Sequence, residues 1–479
     1  MSAPISFSNS YCKLPDTFYT RQPLQPVASP ALVHANIELA ASLGIDPDWF
    51  RSESAVAVFA GNESLSGSDP IATVYAGFQF GNFNPRLGDG RALLLGEILS
   101  EDARFDLQLK GSGPTSYSRG GDGRSPLGPV LREYLVSEAM AALGVPTTRS
   151  LFAISTGELV QRERPEPGGI LTRVAQSHIR FGTFQYFSAQ QDHAGLRELA
   201  DYTIARHFPA LVTTTNPYLK LLEAVIDKVA CLVSHWQSLG FIHGVMNTDN
   251  MLVTGETVDY GPCAFMDTFS QAAVYSAIDQ GARYAFQNQP SIAHWNLMTF
   301  AQALLPLLDD DEHLAIAAAK TALEAFPEIF DGYWRRHSAA KLGLPATDAS
   351  TSLYLDMLRL LERDKMDFTL SFNALVQNLS EDQAIFEHPD WQHWTERWRS
   401  LIDDITAAEA LMMASNPYVI PRNHQIEFAI AEAYQHDRFE HFSEMLAAVT
   451  DPYNPERADS IFAQAPGPDQ IVRRTFCGT

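Results

Sequence analysis

Three runs of polar residues have the types and spacing to handle a phosphate-bearing ligand. The first is His243-Gly244-Val245-Met246-Asn247-Thr248-Asp249-Asn250, continued by Met251-Leu252-Val253 and, nine residues after Asn250, by Asp259-Tyr260-Gly261. Asn250 and Asp259, on either side of a short apolar stretch, are hard oxygen donors of the kind that hold a hard dication against phosphates. The second run ends at Lys110, with Glu133 on the following segment at a separation where an ion pair can form and aim the ammonium at phosphate oxygens. The third is Leu87-Gly88-Asp89-Gly90-Arg91, a tight glycine turn before an apolar stretch, usable as a lid over phosphates.

A long helix, a His-initiated polar loop, a short apolar strand and then Asp-aromatic-Gly is the layout of a kinase catalytic segment. Aligned with H-R-D-L-x-x-x-N, His243 takes the His place and Asn250 the Asn place, which puts Val245 where the catalytic Asp belongs. Valine cannot accept a proton, so ordinary hydroxyl phosphorylation lacks its base. Asp249 is the nearest carboxylate able to substitute. Read alone, Asp259-Tyr260-Gly261 is a common loop turn, and Leu87 to Arg91 a plain hairpin turn. Their co-occurrence with the His243 loop and with Lys110 and Glu133 shifts the reading to a nucleotide and metal site.

The elements that must position these residues fall into two textures. From Tyr75 to Gly111 short apolar runs separated by Gly, Asn and Asp read as strands, the clearest being Ala92 to Gly96 and Phe105 to Lys110. In the latter, Phe105, Leu107 and Leu109 alternate with Asp106, Gln108 and Lys110, so Lys110 faces away from the apolar side. A Gly-rich loop, 111–128, precedes a helix expected over Pro129 to Leu143, with Leu131, Leu135, Ala139 and Ala142 as its stripe and Glu133 off it. Tyr218 to Leu239 is a long helix stopped by Gly240, and beyond residue 290 the pattern is helical throughout. Strands first and helices later predict an α+β fold. The expected organisation is an arm over 1–60, a β-rich unit over 61–185, a helical unit over 186–340 and a helical extension over 341–479.

Composition narrows the function. With 479 residues, 46% apolar and 19% charged, the chain reads as globular, with room for two or three domains. Lys and Arg number 34 against 57 Asp and Glu, a net charge of −23, which disfavours nucleic acid and anionic membrane as partners. No run of eighteen apolar residues suggests a membrane span, and Met1 to Cys12 lacks the pattern of a secretory leader. Four scattered cysteines without CxxC spacing suit a reducing compartment, the cytoplasm, and no structural zinc. Glu387, His388 and His393 are read as flanking a helix whose Trp391, Trp394 and Trp398 face a core, not as a metal site. Asp309 to Glu312 is read as an acidic helix start.

At the level of longer motifs the chain resembles the selenoprotein O family, protein adenylyltransferases on a kinase fold. The matching text includes Tyr75-Ala76-Gly77-Phe78-Gln79-Phe80-Gly81, Leu87 to Ala92, Lys110-Gly111-Ser112-Gly113-Pro114-Thr115, Gly121-Asp122-Gly123-Arg124, Arg132-Glu133-Tyr134-Leu135, Arg180-Phe181-Gly182, the His243 to Met251 loop and Asp259-Tyr260-Gly261-Pro262. Phe78 departs from the family's usual His, and Cys477 stands where some members carry selenocysteine. The resemblance implies a bilobed, kinase-like fold and transfer of AMP from ATP, bound inverted, to Ser, Thr or Tyr hydroxyls of proteins, the enzyme itself included. It implies that Asn250 and Asp259 ligate Mg2+ or Mn2+ and that Asp249 is the general base. Gly88, Gly90, Arg91, Lys110 paired with Glu133, Asp122 and Gly123 would contact the nucleotide, and Arg173 and Arg180 the phosphate tail. Fixed guanidinium donors suit the charge growing on a departing pyrophosphate. The resemblance leaves Cys477 as a tail thiol open to oxidation, remote in sequence from every phosphate ligand.

Overall fold

The alternation of Phe105, Leu107 and Leu109 with Asp106, Gln108 and Lys110 makes this segment the hub of the sheet, in a computed structural model that describes residues 4–101, 103–379, 386 and 388–476. Cys477 and Glu387 lie outside the described residues. In chain order the strands are β1 (Tyr19–Arg21), β2 (Ala31–Ala35), β3 (Ile71–Thr73), a separate hairpin of β4 (Gly77–Gln79) and β5 (Asn82–Asn84), then β6 (Ala92–Ser100), β7 (Ala103–Lys110), β8 (Ser125–Pro126), β9 (Arg149–Gln161) and β10 (Pro165–Ala175). The main sheet runs β1-β3-β6-β7-β10-β9-β2, with β8 also on β10, and its pairings are antiparallel. The chain is therefore α+β, with the sheet drawn from its first part and helices dominating the rest. The arm does more than wrap: β1 and β2 are the two edge strands of the sheet.

The apolar face of β7 is covered as its pattern demands. Leu107 and Leu109 are buried with Ile98, Ile154 and Ile170 beneath the short helices Ile37–Ser42, Pro47–Phe50 and Glu53–Phe59, each such side chain contributing about 1.5–3 kcal/mol. The polar face is not solvated, contrary to what alternation ordinarily means. Asp106, Gln108 and Lys110 are 3%, 0% and 5% exposed. Burying them requires partners, and the helix Leu127–Ala142 brings one, Glu133. This helix begins two residues before the expected Pro129. Its early Gly128 N–H, a donor with no partner inside the helix, donates to Tyr434 Oη at 2.9 Å.

Leu127–Ala142 is buried on nearly every side, not only along its stripe, because the distant helices Asn423–His436 and Glu440–Val449 pack on it. Arg132 Nη1 donates to Asn423 Oδ1 at 3.0 Å and its Nη2 pairs with Glu427. The helix Pro217–Leu239 follows its sequence code: the Asn216 side chain accepts from Leu219 N at 3.1 Å, and Gly240 takes the left-handed φ of +67° that ends it. A second core encloses Trp391, Trp394 and Trp398, the expected apolar face of Pro389–Ser400. His388 and His393 lie near it; among the described residues there is no group of three or more His, Cys, Asp or Glu that could hold a metal. Asp311 caps the helix Glu312–Glu324. No helix among the described residues is long and apolar enough to cross a membrane.

Candidate active site

Where the sheet meets the His243 loop a cavity of about 710 Å3 opens. Its wall holds Gly88, Gly90, Arg91, Lys110, Asp122, Gly123, Arg173, Arg180, Asp249, Asn250 and Asp259. Glu133 stands behind the wall, 1% exposed. Lys110 closes β7, and its Nζ lies 2.5 Å from Glu133 Oε2 and 3.0 Å from Asp259 Oδ1. Arg173 sits on β10, directly opposite Gln108 of β7. Its Nε donates to Glu133 Oε1 at 2.5 Å and its Nη2 to Asp259 Oδ1. Glu133 thus holds two cations, one with each oxygen. Burial alone would raise its pKa, but the Arg173 guanidinium and the Lys110 ammonium hold it below the ordinary value.

Arg180 occupies the N-cap position of the helix Phe181–Ala189, where its backbone N–H donates to Thr183 Oγ1 at 3.2 Å. Its Nη1 donates to the Asp249 carbonyl and lies 3.3 Å from Asp259 Oδ2, and its guanidinium covers the Tyr75 ring at 4.9 Å. Asp259 therefore faces Lys110, Arg173 and Arg180 together. Burial opposes its charge, yet Arg173, Lys110 and Arg180 hold its carboxyl well below the usual range. Its backbone has φ of +66°, a left-handed conformation that costs a non-glycine residue about 1–2 kcal/mol. His243 steadies that turn: its Nε2 lies 2.9 Å from the carbonyl of Val258.

Asp249 is the exception in this field of satisfied charges. It is 8% exposed, its Oδ2 accepts a long 3.3 Å bond from Gln79 Nε2, and its Oδ1 is buried without a partner among the described residues. Burial pushes its pKa up to about 6 despite the nearby Arg180. The β4–β5 hairpin presses on it. Phe78 N donates to Thr248 Oγ1 at 2.8 Å and Phe80 N donates to Asn247 Oδ1 at 3.1 Å. A Cβ on Gly77 would lie 2.8 Å from Asp249 Oδ1, so this glycine is needed for close approach. Gly77, Gln79 and Tyr75 carry no role in the sequence reading. The one sign of them is the run Tyr75 to Gly81, noted there only as text that matches.

The donors fit a hard dication. Asn250 Nδ2 donates to the Val245 carbonyl at 3.0 Å, which commits the amide's nitrogen and leaves its oxygen as the donor atom. The Asp259 carboxylate lies in the same wall. Two oxygen-bearing residues suit Mg2+, and Mn2+ shares that preference, since such ions complete their shell with phosphate and water. The glycine turns are also shaped by contact. A Cβ at Gly88 (φ +70°) would overlap the Tyr117 ring, one at Gly90 would lie 2.9 Å from the Tyr117 carbonyl, and one at Gly123 (φ +64°) would overlap the Gly113 backbone. Asp122 accepts from Arg162 Nη1 and Arg124 N, both at 2.9 Å. Arg91 lines the cavity beside them.

A cavity that gathers phosphate-binding cations, glycine turns and paired oxygen donors is that of an enzyme acting on a nucleotide. The comparisons say which. Residues 2–450 match the family described as "Protein adenylyltransferase SelO". A relative from Rhodopseudomonas palustris (strain BisB5), named "Protein nucleotidyltransferase YdiU", is 49% identical over the whole of both chains. One of the same name from Geobacillus kaustophilus is 48% identical, again over both whole chains. A third, from Rhizobium rhizogenes, is 47% identical over 99% of this chain and 97% of its own. The chain belongs to the SelO family of protein adenylyltransferases, and it is a nucleotidyltransferase.

Proposed function

We propose that the protein transfers AMP from ATP, bound inverted in a kinase-like cleft, to Ser, Thr or Tyr hydroxyls of proteins, its own included. One observation carries the reading: Asp249 stands in the wall with a buried oxygen that has no hydrogen-bond partner among the described residues, while Val245 fills the place of a kinase base. The acceptor hydroxyl attacks the α-phosphorus, the bond from that phosphorus to the bridging oxygen breaks, and pyrophosphate leaves with the electron pair. The hydroxyl proton goes to an Asp249 carboxylate oxygen. A base whose pKa lies near 6 is ionised at neutral pH and still basic enough to take it. Arg173 and Arg180, with Lys110, supply the fixed positive charge that the leaving group needs.

Asn250 and Asp259 would hold Mg2+, or Mn2+, which supplies charge neutralisation on the phosphates. Gly88, Gly90, Arg91, Asp122 and Gly123 would contact the rest of the nucleotide, and Glu133 would position Lys110 and Arg173 from behind. The kinase-like division, with boundaries near residues 60, 185 and 340, belongs to the same proposal. Cys12 and Cys231 are free thiols, which favours the cytoplasm as the place of action.

The test is ATP labelled at one phosphate at a time. Label from the α position, with the mass of AMP added to protein, is expected. Asp249→Ala should slow it by about 10² to 10⁴, the usual worth of a general base. Label arriving only from the γ position would make the protein a kinase working through Asp249, and none from either would make it a nucleotide-binding scaffold.

A further inference from the structure

The β4–β5 hairpin touches Asp249 with one side and carries aromatic rings on the other. Phe78 packs edge-on against Trp295 at 5.2 Å between centroids and lies 4.9 Å from Phe83. Phe83 is 41% exposed, and Phe78 and Trp295 are half-buried. Over the Trp295 ring, at 4.6 Å, sits the Arg283 guanidinium. These four side chains form one continuous surface. It is rigid: the backbone of Phe78 and Phe80 is bonded to Thr248 and Asn247, the residues just before the base. Phe78 serves the loop through its N–H, so its ring is available to the surface.

Arg283 is the uncompensated charge of this surface. Its Nε is buried without a hydrogen-bond partner. Asp279, close in sequence, spends both oxygens on backbone, accepting from Arg283 N at 2.9 Å and Tyr284 N at 2.8 Å. No carboxylate pairs with the guanidinium among the described residues. In a chain of net charge −23, a half-buried arginine left free of carboxylates beside exposed aromatic rings matches an acidic ligand with an apolar neighbour. A guanidinium stacked on an aromatic ring keeps its in-plane donors for a carboxylate.

We propose that Phe78, Phe83, Trp295 and Arg283 form the docking surface for the acceptor segment of protein substrates, selecting a bulky apolar side chain and an acidic residue next to the hydroxyl. The inference rests on the adenylyltransferase reading, because the hairpin that carries these rings also presses on the base, through Gly77 and Gln79. It adds what that reading lacks, a rule for which hydroxyls are chosen.

The experiment uses the full chain, α-labelled ATP and four synthetic peptides with one central hydroxyl, flanked by Phe and Glu, Phe and Lys, Ala and Glu, or Ala and Lys. Wild type should favour the Phe and Glu peptide over the others by about tenfold or more in kcat/KM, mostly through KM, as expected for loss of one charged or aromatic contact. Trp295→Ala should erase the preference for Phe over Ala, and Arg283→Glu should invert Glu over Lys. Both should leave KM for ATP unchanged. Should Arg283→Glu not fold, Arg283→Gln should abolish the charge preference without inverting it. Self-labelling together with peptides used without preference overturns the docking surface alone. Absence of label on every peptide and on the enzyme overturns the adenylyltransferase reading beneath it. A dimer in solution that Phe83→Glu dissociates, with peptide preference unchanged, assigns the face to a second copy and overturns the proposal too.

Discussion

Asp106 and Lys110 lie on one face of β7, and each end of that face carries a buried cluster of charges. At the first end Asp106 Oδ2 accepts from His178 N at 2.8 Å and lies 3.1 Å from His178 Nδ1, while Oδ1 accepts from Arg206 Nη2 at 2.7 Å. Glu97 beside it accepts from Ser10 N at 2.9 Å and Ser10 Oγ at 2.6 Å. At the second end Lys110, Glu133, Arg173, Arg180 and Asp259 interlock. Both ends set carboxylates against buried cations, though the Asp259 side chain is 22% exposed and that of Asp106 5%. A cavity does not separate the two, since one of about 650 Å3 also lies beside Arg206. The difference is which groups are left with spare capacity: at the first end it is the nitrogens His178 Nε2 and Arg206 Nε that are buried without a partner among the described residues. Both oxygens of Asp106 are used, and that end staples the N-terminal arm and the helix His193–His207 to the sheet. The Lys110 end brings three cations onto one carboxylate and leaves Asp249 short of a partner. What the second end alone leaves over is a carboxylate oxygen, able to accept a proton and set in the cavity wall.

The contrast can be broken in four places, the largest effect first. Asp259→Ala should lower AMP transfer by about 10² to 10⁴, because phosphate charge loses its local counter-ion, with the circular-dichroism spectrum unchanged. Near-normal transfer at saturating Mg2+ would remove Asp259 from the site. Asp106→Ala should do the reverse. Stranding Arg206 in the interior should cost about 3–5 kcal/mol in urea unfolding, with transfer per folded molecule preserved. A drop in specific activity without a stability loss would erase the distinction between the two ends.

Glu256, near the structural end, sharpens the comparison through pH. Burial pushes its pKa up to about 7 from an ordinary 4.5, despite bonds from Thr254 and Gln176. The folded state then binds the proton more tightly than the unfolded chain, so stability falls as pH rises from about 4.5 to about 7. Glu256→Gln should therefore stabilise the protein at pH 8 by at most about 3 kcal/mol and by little near pH 4.5. Equal gains at both values would mean the carboxyl is not held protonated. The smallest effect belongs to Gly77→Ala. Its Cβ would meet Asp249 Oδ1 at 2.8 Å, and a base displaced by a few tenths of an ångström to 1 Å should lose up to about 10² in kcat. The melting temperature should barely move, since Gly77 does not have a left-handed backbone.

Much of the site is legible in the sequence because its parts are local. The alternation in β7, the Asn216 cap and Gly240 stop of the long helix, and the His243 to Asn250 loop with Asp259 downstream each depend on neighbours a few residues away. So do the tryptophans at 391, 394 and 398, whose spacing alone puts them on one helical face. The resemblance implied a phosphate-tail role for Arg173 and Arg180, and both line the cavity, although taken singly each would pass for a surface arginine.

The tertiary structure alone decided what these parts do to one another. Lys110 and Asp259 are 149 residues apart, and nothing in either segment says that Glu133 must divide its oxygens between Lys110 and Arg173. Period-two alternation reports that β7 has two unlike faces, but whether the polar one meets water or a charged helix depends on what packs there. The same holds for Leu127–Ala142, whose outer side is buried by helices that begin at residue 423. The pressure of Gly77 and Gln79 on Asp249 is likewise a contact across 172 and 170 positions. Hydrophobic pattern and capping act over one turn of helix or one strand, and sequence carries them openly. Electrostatic completion is settled only when distant segments meet, so the carboxylate left wanting a partner is visible only in the folded chain.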